Sequence, residues 1–199
     1  MSTRGTIGFR MQKKDKVTYN HSDSYPSWLG INILSFIKDT PEPELKDIAS
    51  RIELVDEDST PSPEQIEAYS KYSDTSVSTR TKTDWYCLLR DTQGDLNHYR
   101  SGVRHMIDYH EFLKDSLSCE WAYIINIDSR ELEIYRGYNK QKNLKNGGRY
   151  AKYTVDEDKR YYGVTILATL SLSDIRNMTE EAIKVYCQAL EEAVYTRTN

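Results

Sequence analysis

Apolar and polar residues alternate with period two at both ends of the chain and recur at helical spacing between them. Over residues 3–10, Thr3, Gly5, Ile7 and Phe9 fall on one side and Arg4, Thr6, Gly8 and Arg10 on the other, the pattern of an extended strand. Two glycines in so short a strand imply close approach of another backbone. A polar turn over 12–16 leads to a second alternating run, 17–21, so the chain should open with a hairpin. Behind Pro26, Ser27 can cap a helix that places Leu29, Ile33, Leu34 and Ile37 on one side. Pro41 starts a second helix with Leu45, Ile48, Ala49 and Ile52 inward, and Ser62-Pro63-Glu64-Gln65 carries a capping-box pattern.

Further along, Trp85, Leu88 and Leu89 predict a buried helical turn, and residues 94–109 read as another helix weakened by Gly102. The run 119–128, CEWAYIINID, reads as a buried strand with a hairpin partner at Leu132 and Ile134. Tyr162, Val164, Ile166, Ala168, Leu170 and Leu172 share a face on a long alternating strand. Thr179 then caps a closing helix with Glu180 and Glu181 in its first turn. Together these elements predict an α+β fold with a largely antiparallel sheet packed by helices, formed as one domain over residues 1–199. Segments 70–83 and 139–149, polar or glycine-containing, are expected to be flexible.

Composition narrows the function more than it identifies it. A mean hydropathy of -0.74 and 29% charged residues fit a soluble protein, no apolar run approaches the roughly 20 residues a membrane span requires, and MSTRGTIGFR lacks an apolar leader core, so a cytoplasmic protein is expected. Cys87, Cys119 and Cys187 lack CxxC spacing and imply reduced, buried thiols. His98, His105, Asp108 and His110 lack metal-ligand spacing, and no metal or other cofactor is expected. A net charge of -4 argues against nucleic acid as the partner, although Lys140, Lys142, Lys145 and Arg149 make a local basic patch. Sixteen tyrosines against three phenylalanines suit pockets and protein interfaces.

The densest chemistry lies in VTYNHSDSYPSWLG, where Asn20, His21, Ser22, Asp23, Ser24 and Tyr25 gather an acid, an imidazole, hydroxyls and an amide at a strand-to-helix transition. These groups either satisfy the backbone of a tight turn or form a site. In the second case Asn20, His21 and Asp23 are candidate catalytic residues. Arg4, Ser24, Tyr25 and Arg149 are candidate ligand-binding residues, the guanidinium groups being suited to a small polar or anionic ligand.

TRGTIGF, YNHSDSYP, LSCEWAYIINID and GRY…YYGVTILATL together resemble a group of bacterial and phage proteins sharing these landmarks, to which no activity is attached. The resemblance covers most of the chain, with Trp28 standing where a small residue is expected. A looser resemblance, to N-terminal nucleophile hydrolases, rests on a strand at the N-terminus and an Asn/Asp-containing segment closing the hairpin. It implies that Ser2, exposed by removal of Met1, acts as a nucleophile activated by its own α-amine. Two functions from different classes follow as expectations: a small hydrolase-like or ligand-processing enzyme, or a non-catalytic accessory protein that binds a protein partner or sequesters a small anion.

Overall fold

The opening alternation forms β1 (Gly5–Met11) and β2 (Lys14–Asn20), paired antiparallel from Gly5↔Asn20 to Met11↔Lys14. The connection is tighter than the sequence implies: only Gln12 and Lys13 form the turn, both at positive φ (52° and 63°). Such a two-residue turn matches strand twist but strains residues with a Cβ. Asp128 offsets this by accepting both turn N–H groups, each at 2.8 Å. The structure is a computed structural model that describes residues 3–77, 81, 83–142, 144–153 and 160–196. Ser2, and parts of the 70–83 and 139–149 segments (78–80, 82 and 143), lie outside the described residues.

The hairpin extends into a five-stranded sheet of order β2-β1-β5-β6-β7, with β5 at Trp121–Asn126, β6 at Glu131–Arg136 and β7 at Thr165–Ser171. Only β1 and β5 run parallel in it; the other pairs are antiparallel, giving the α+β class. Gly5 is needed where β1 meets its neighbours, because a Cβ there would sit 2.4 Å from the Trp121 carbonyl and 2.7 Å from Ser24 Oγ.

One sheet face, with Ile7, Phe9, Tyr123, Ile125, Leu132 and Ile134, is covered mainly by helices. These include α1 (Ile31–Asp39) and α2 (Glu42–Arg51), which bury Ile33, Leu34, Ile37, Leu45 and Ile48. The capping box is present at α3 (Pro63–Tyr69), and α4 (Trp85–Leu88) buries Trp85 and Leu88 as its pattern predicts. Two later helices, α6 (Leu172–Asn177) and α7 (Glu180–Thr196), complete the layer, with Ile183 and Cys187 inward. The opposite face, with Val17, Ala122, Ile124 and Tyr135, is covered by irregular chain carrying Leu113, Cys119, Tyr150 and Val164.

Two elements correct the sequence reading. Residues 94–109 are not one helix: α5 spans only Asn97–Arg100, Gly102 takes φ 111°, and β4 (His105–Ile107) pairs parallel with β3 (Glu53–Val55). Burial of Met106 and Ile107 against the core overrides the local helical pattern. In β7 the alternating residues do not share one face. An irregularity opposite Ile134 and Tyr135 pairs Ile166 with Tyr135 and Ala168 with Ile134, sending the two residues to opposite cores. No helix among the described residues is long and apolar enough to cross a membrane.

Candidate functional site

The polar run closing β2 folds back on itself. Asn20 Nδ2 donates to the Ser22 carbonyl at 2.6 Å and to Ser24 Oγ at 2.8 Å. Ser24 is fully buried; its N–H donates to the Thr3 carbonyl at 3.1 Å and its own carbonyl accepts from Tyr123 OH at 3.0 Å. Asp23 takes the left-handed position of the bend (φ 55°), a conformation Asp tolerates better than most residues, and its side chain is exposed. The Tyr25 carbonyl accepts from the N–H groups of Trp28 and Gly30 in a short π-helical turn, Pro26–Gly30, that leads into α1.

His21 is exposed, its Nδ1 3.0 Å from Tyr19 OH. Partial burial, then the charges of Arg90 and Arg4, hold its pKa below the ordinary imidazole value. The bend therefore brings Asn20 and Ser24 together, leaves His21 and Asp23 at the surface, and places Arg4 beside them. Arg149 is elsewhere. It lies near Arg10 and Asp15, at the far end of the same hairpin.

There the side chains form a chain of charge-assisted bonds across four segments. Arg10 Nη1 meets Asp15 Oδ1 at 2.8 Å across the β1–β2 pair, and Tyr150 OH donates to Asp15 Oδ2 at 2.6 Å. Arg149 Nε donates to the same Tyr150 oxygen at 3.0 Å, while its two terminal nitrogens fork onto Glu133, one of them at 2.8 Å. Glu133, only 6% exposed, also accepts from Asn126 Nδ2 at 2.7 Å and Tyr135 OH at 2.9 Å. Burial opposes its charge, but the bonds from Arg149 and Asn126 outweigh that and keep the carboxyl below the usual glutamate range. Burial and the adjoining Asp15 carboxylate push the Tyr150 phenol up, so it remains a proton donor.

Beside this network lies a groove of about 380 Å³ lined by five cationic side chains, Arg10, Lys13, Lys114, Arg149 and Lys152, against the single carboxylate of Asp15. The ammonium groups of Lys114 and Lys152 lie 5.3 and 5.2 Å from the Tyr153 ring centre. Of the four basic residues clustered in sequence, only Arg149 lines the groove. Asp15, Glu133 and Tyr150, which the sequence reading missed, hold it in place. Glu133 had one faint signal, a carboxylate between Leu132 and Ile134 in an apolar strand.

Other features offer less chemistry. A concavity of about 690 Å³ is bordered by Glu42, Arg130 and Asp128, but Glu42 and Arg130 pair at 2.6 Å and Asp128 holds the hairpin turn. Burial raises the Cys119 thiol to about 12, so it stays protonated at neutral pH. Among the described residues no group of His, Cys, Asp and Glu is arranged to hold a metal ion. No family model, curated protein or solved structure matches the chain.

Proposed function

We propose that the protein binds a small anionic ligand, of the phosphate or carboxylate class, in the groove beside Arg149. The observation that carries this reading is the charge of the groove: five cations border it and the carboxylates paired with them are three, Asp15, Glu133 and Glu111, which leaves an excess of positive charge in a chain whose net charge is -4. Arg10 and Arg149 are fixed by their bonds to Asp15 and Glu133, so their positive charge is in place before a ligand arrives. The Arg149 fork is spent on Glu133. Direct donors to the ligand are then Lys13 and Lys152, with Lys114, held at 2.5 Å by Glu111, as a third.

The hydrolase-like reading with Ser2, Asn20, His21 and Asp23 has weaker support. Asn20 and Ser24 bond to the bend, which leaves His21 and Asp23 as the exposed groups there.

Thermal denaturation at low ionic strength with inorganic phosphate, pyrophosphate and citrate tests the proposal. A dose-dependent rise in Tm is expected, reduced in about 0.15 M salt. Lys13→Ala combined with Lys152→Ala should weaken binding about tenfold without changing the unliganded Tm. No stabilisation by any of the three anions at about 10 mM refutes the reading.

A further inference from the structure

We propose a second binding site, for a sugar ring, in the groove between Trp28 and the loop carrying Gln93 and Asp95. Trp28 is 64% exposed, whereas Trp85 and Trp121 are 2% and 0% exposed. Its indole stands on fixed backbone: Leu29 beneath it is buried, and the neighbouring Ser27 N–H donates to Glu191 of α7 at 3.1 Å. A large apolar ring presented to water from a rigid turn is a ready-made stacking platform.

The groove, about 260 Å³, is otherwise polar. Asp23 enters from the bend, Asn32 from the first turn of α1, and Gln93 and Asp95 from the loop before α5. That loop reaches the hairpin because Gly94 takes φ 78° against Asn20, where a Cβ would sit 2.8 Å from Asn20 Oδ1. Asp95 Oδ1 is spent on the backbone N–H and amide of Asn97, at 2.8 and 2.9 Å, and Gln93 Oε1 accepts from Arg90. The side chains of Asp23 and Asn32 have no hydrogen-bond partner among the described residues.

The chemistry of this lining selects a neutral polyol over a charged ligand. Two carboxylates, Asp23 and Asp95, repel an anion. An organic cation would also favour the indole face, but the Arg90 guanidinium, bonded to Gln93 of the groove wall, opposes it. A sugar presents an apolar C–H face to the indole and a rim of hydroxyls that both donate and accept. The Asn32 amide offers both functions and the Asp23 carboxylate accepts.

Trp85 and Trp121 also emit, but burial shields them from a ligand, so a ligand-induced change in emission reports Trp28, and Trp28→Ala should abolish it. Titration of the whole protein with cellobiose, maltose, lactose and diacetylchitobiose should give a saturable blue shift with at least one of them, at millimolar affinity. Calorimetry should show that affinity falling about tenfold or more in Trp28→Ala and severalfold in Asn32→Ala. Both are exposed positions, and circular dichroism should show the fold unchanged. The Lys13→Ala, Lys152→Ala variant should bind the sugar normally, which separates this site from the anion groove. The proposal is overturned if none of the four sugars shifts the emission, or if Trp28→Ala binds as tightly as the parent. It is equally overturned if tetramethylammonium or spermidine saturates the shift in place of a sugar.

Discussion

At one end of the β1–β2 hairpin, Asn20 and Ser24 turn inward and bond to each other and to nearby backbone. At the other end, about 20 Å along the strands, Arg10 and Asp15 begin a chain of bonds that runs through Tyr150 and Arg149 to Glu133. Both ends are polar, but their partners differ in distance along the chain. In the first cluster the side-chain bonds join residues a few positions apart, and the backbone of Ser24 anchors the bend to Thr3 and Tyr123. The second ties together segments that only the completed fold brings near, and it leaves a cationic groove on its outer side. Side chains close in sequence bond to one another at the turn; side chains distant in sequence bond to one another at the groove.

The largest expected effect tests the far end. Glu133→Ala leaves the Arg149 guanidinium, Tyr135 OH and Asn126 amide without their shared acceptor, and urea denaturation should show a loss of about 3 kcal/mol. A loss under about 1 kcal/mol would mean that the network does not hold that end together. Next, Asn20→Ala removes two hydrogen bonds from the bend and should cost about 2 kcal/mol. If stability is instead unchanged while ligand binding or an activity disappears, the two ends have been assigned the wrong way round.

Acid sharpens the contrast further. The Glu133 carboxyl is depressed below its ordinary value of 4.5 in the fold. Its stabilising contribution is therefore complete above that value and is lost as pH falls through the lower, folded value. The stability gap between the parent and Glu133→Gln should be constant near neutrality and close below that range, as followed by denaturant titration across pH. The smallest effect belongs to Asp23→Asn. Asparagine tolerates the same left-handed backbone and the side chain is exposed, so stability should change by no more than about 0.5 kcal/mol, measured by the same titration.

The contrast also explains what was legible in the sequence. The opening hairpin, α2, the capped start of α3, the β5–β6 pair and α7 each follow from a local rule: alternation, proline in the first turn, a capping side chain or helical spacing. The spacing of Ile33, Leu34 and Ile37 likewise marks α1, but Ser27 does not cap it: Ser27 lies within the π-helical turn Pro26–Gly30, and α1 begins at Ile31 with no side-chain cap. The β3–β4 pair is invisible to such rules, since three-residue strands carry too little period and their pairing depends on the tertiary core. The irregularity in β7 preserves alternation on paper while exchanging faces in space. At the groove, Arg149 was legible as a basic loop residue, but Glu133 was not. Alternation assigns it to the side away from Leu132 and Ile134, which in a sheet covered on one face would be solvent. Here irregular chain covers that side as well, and an outward carboxylate becomes a buried one.

The parallel contact between β1 and β5 has a consequence for the nascent chain. Gly5 leaves the ribosome well before Trp121 and waits for it before its second edge is paired. At ordinary synthesis rates that interval is on the order of ten seconds. Throughout it the first hairpin offers a bare strand edge to any other extended segment nearby. A ribosome-bound fragment ending before β5 should therefore be the form of this protein most prone to associate with its own copies.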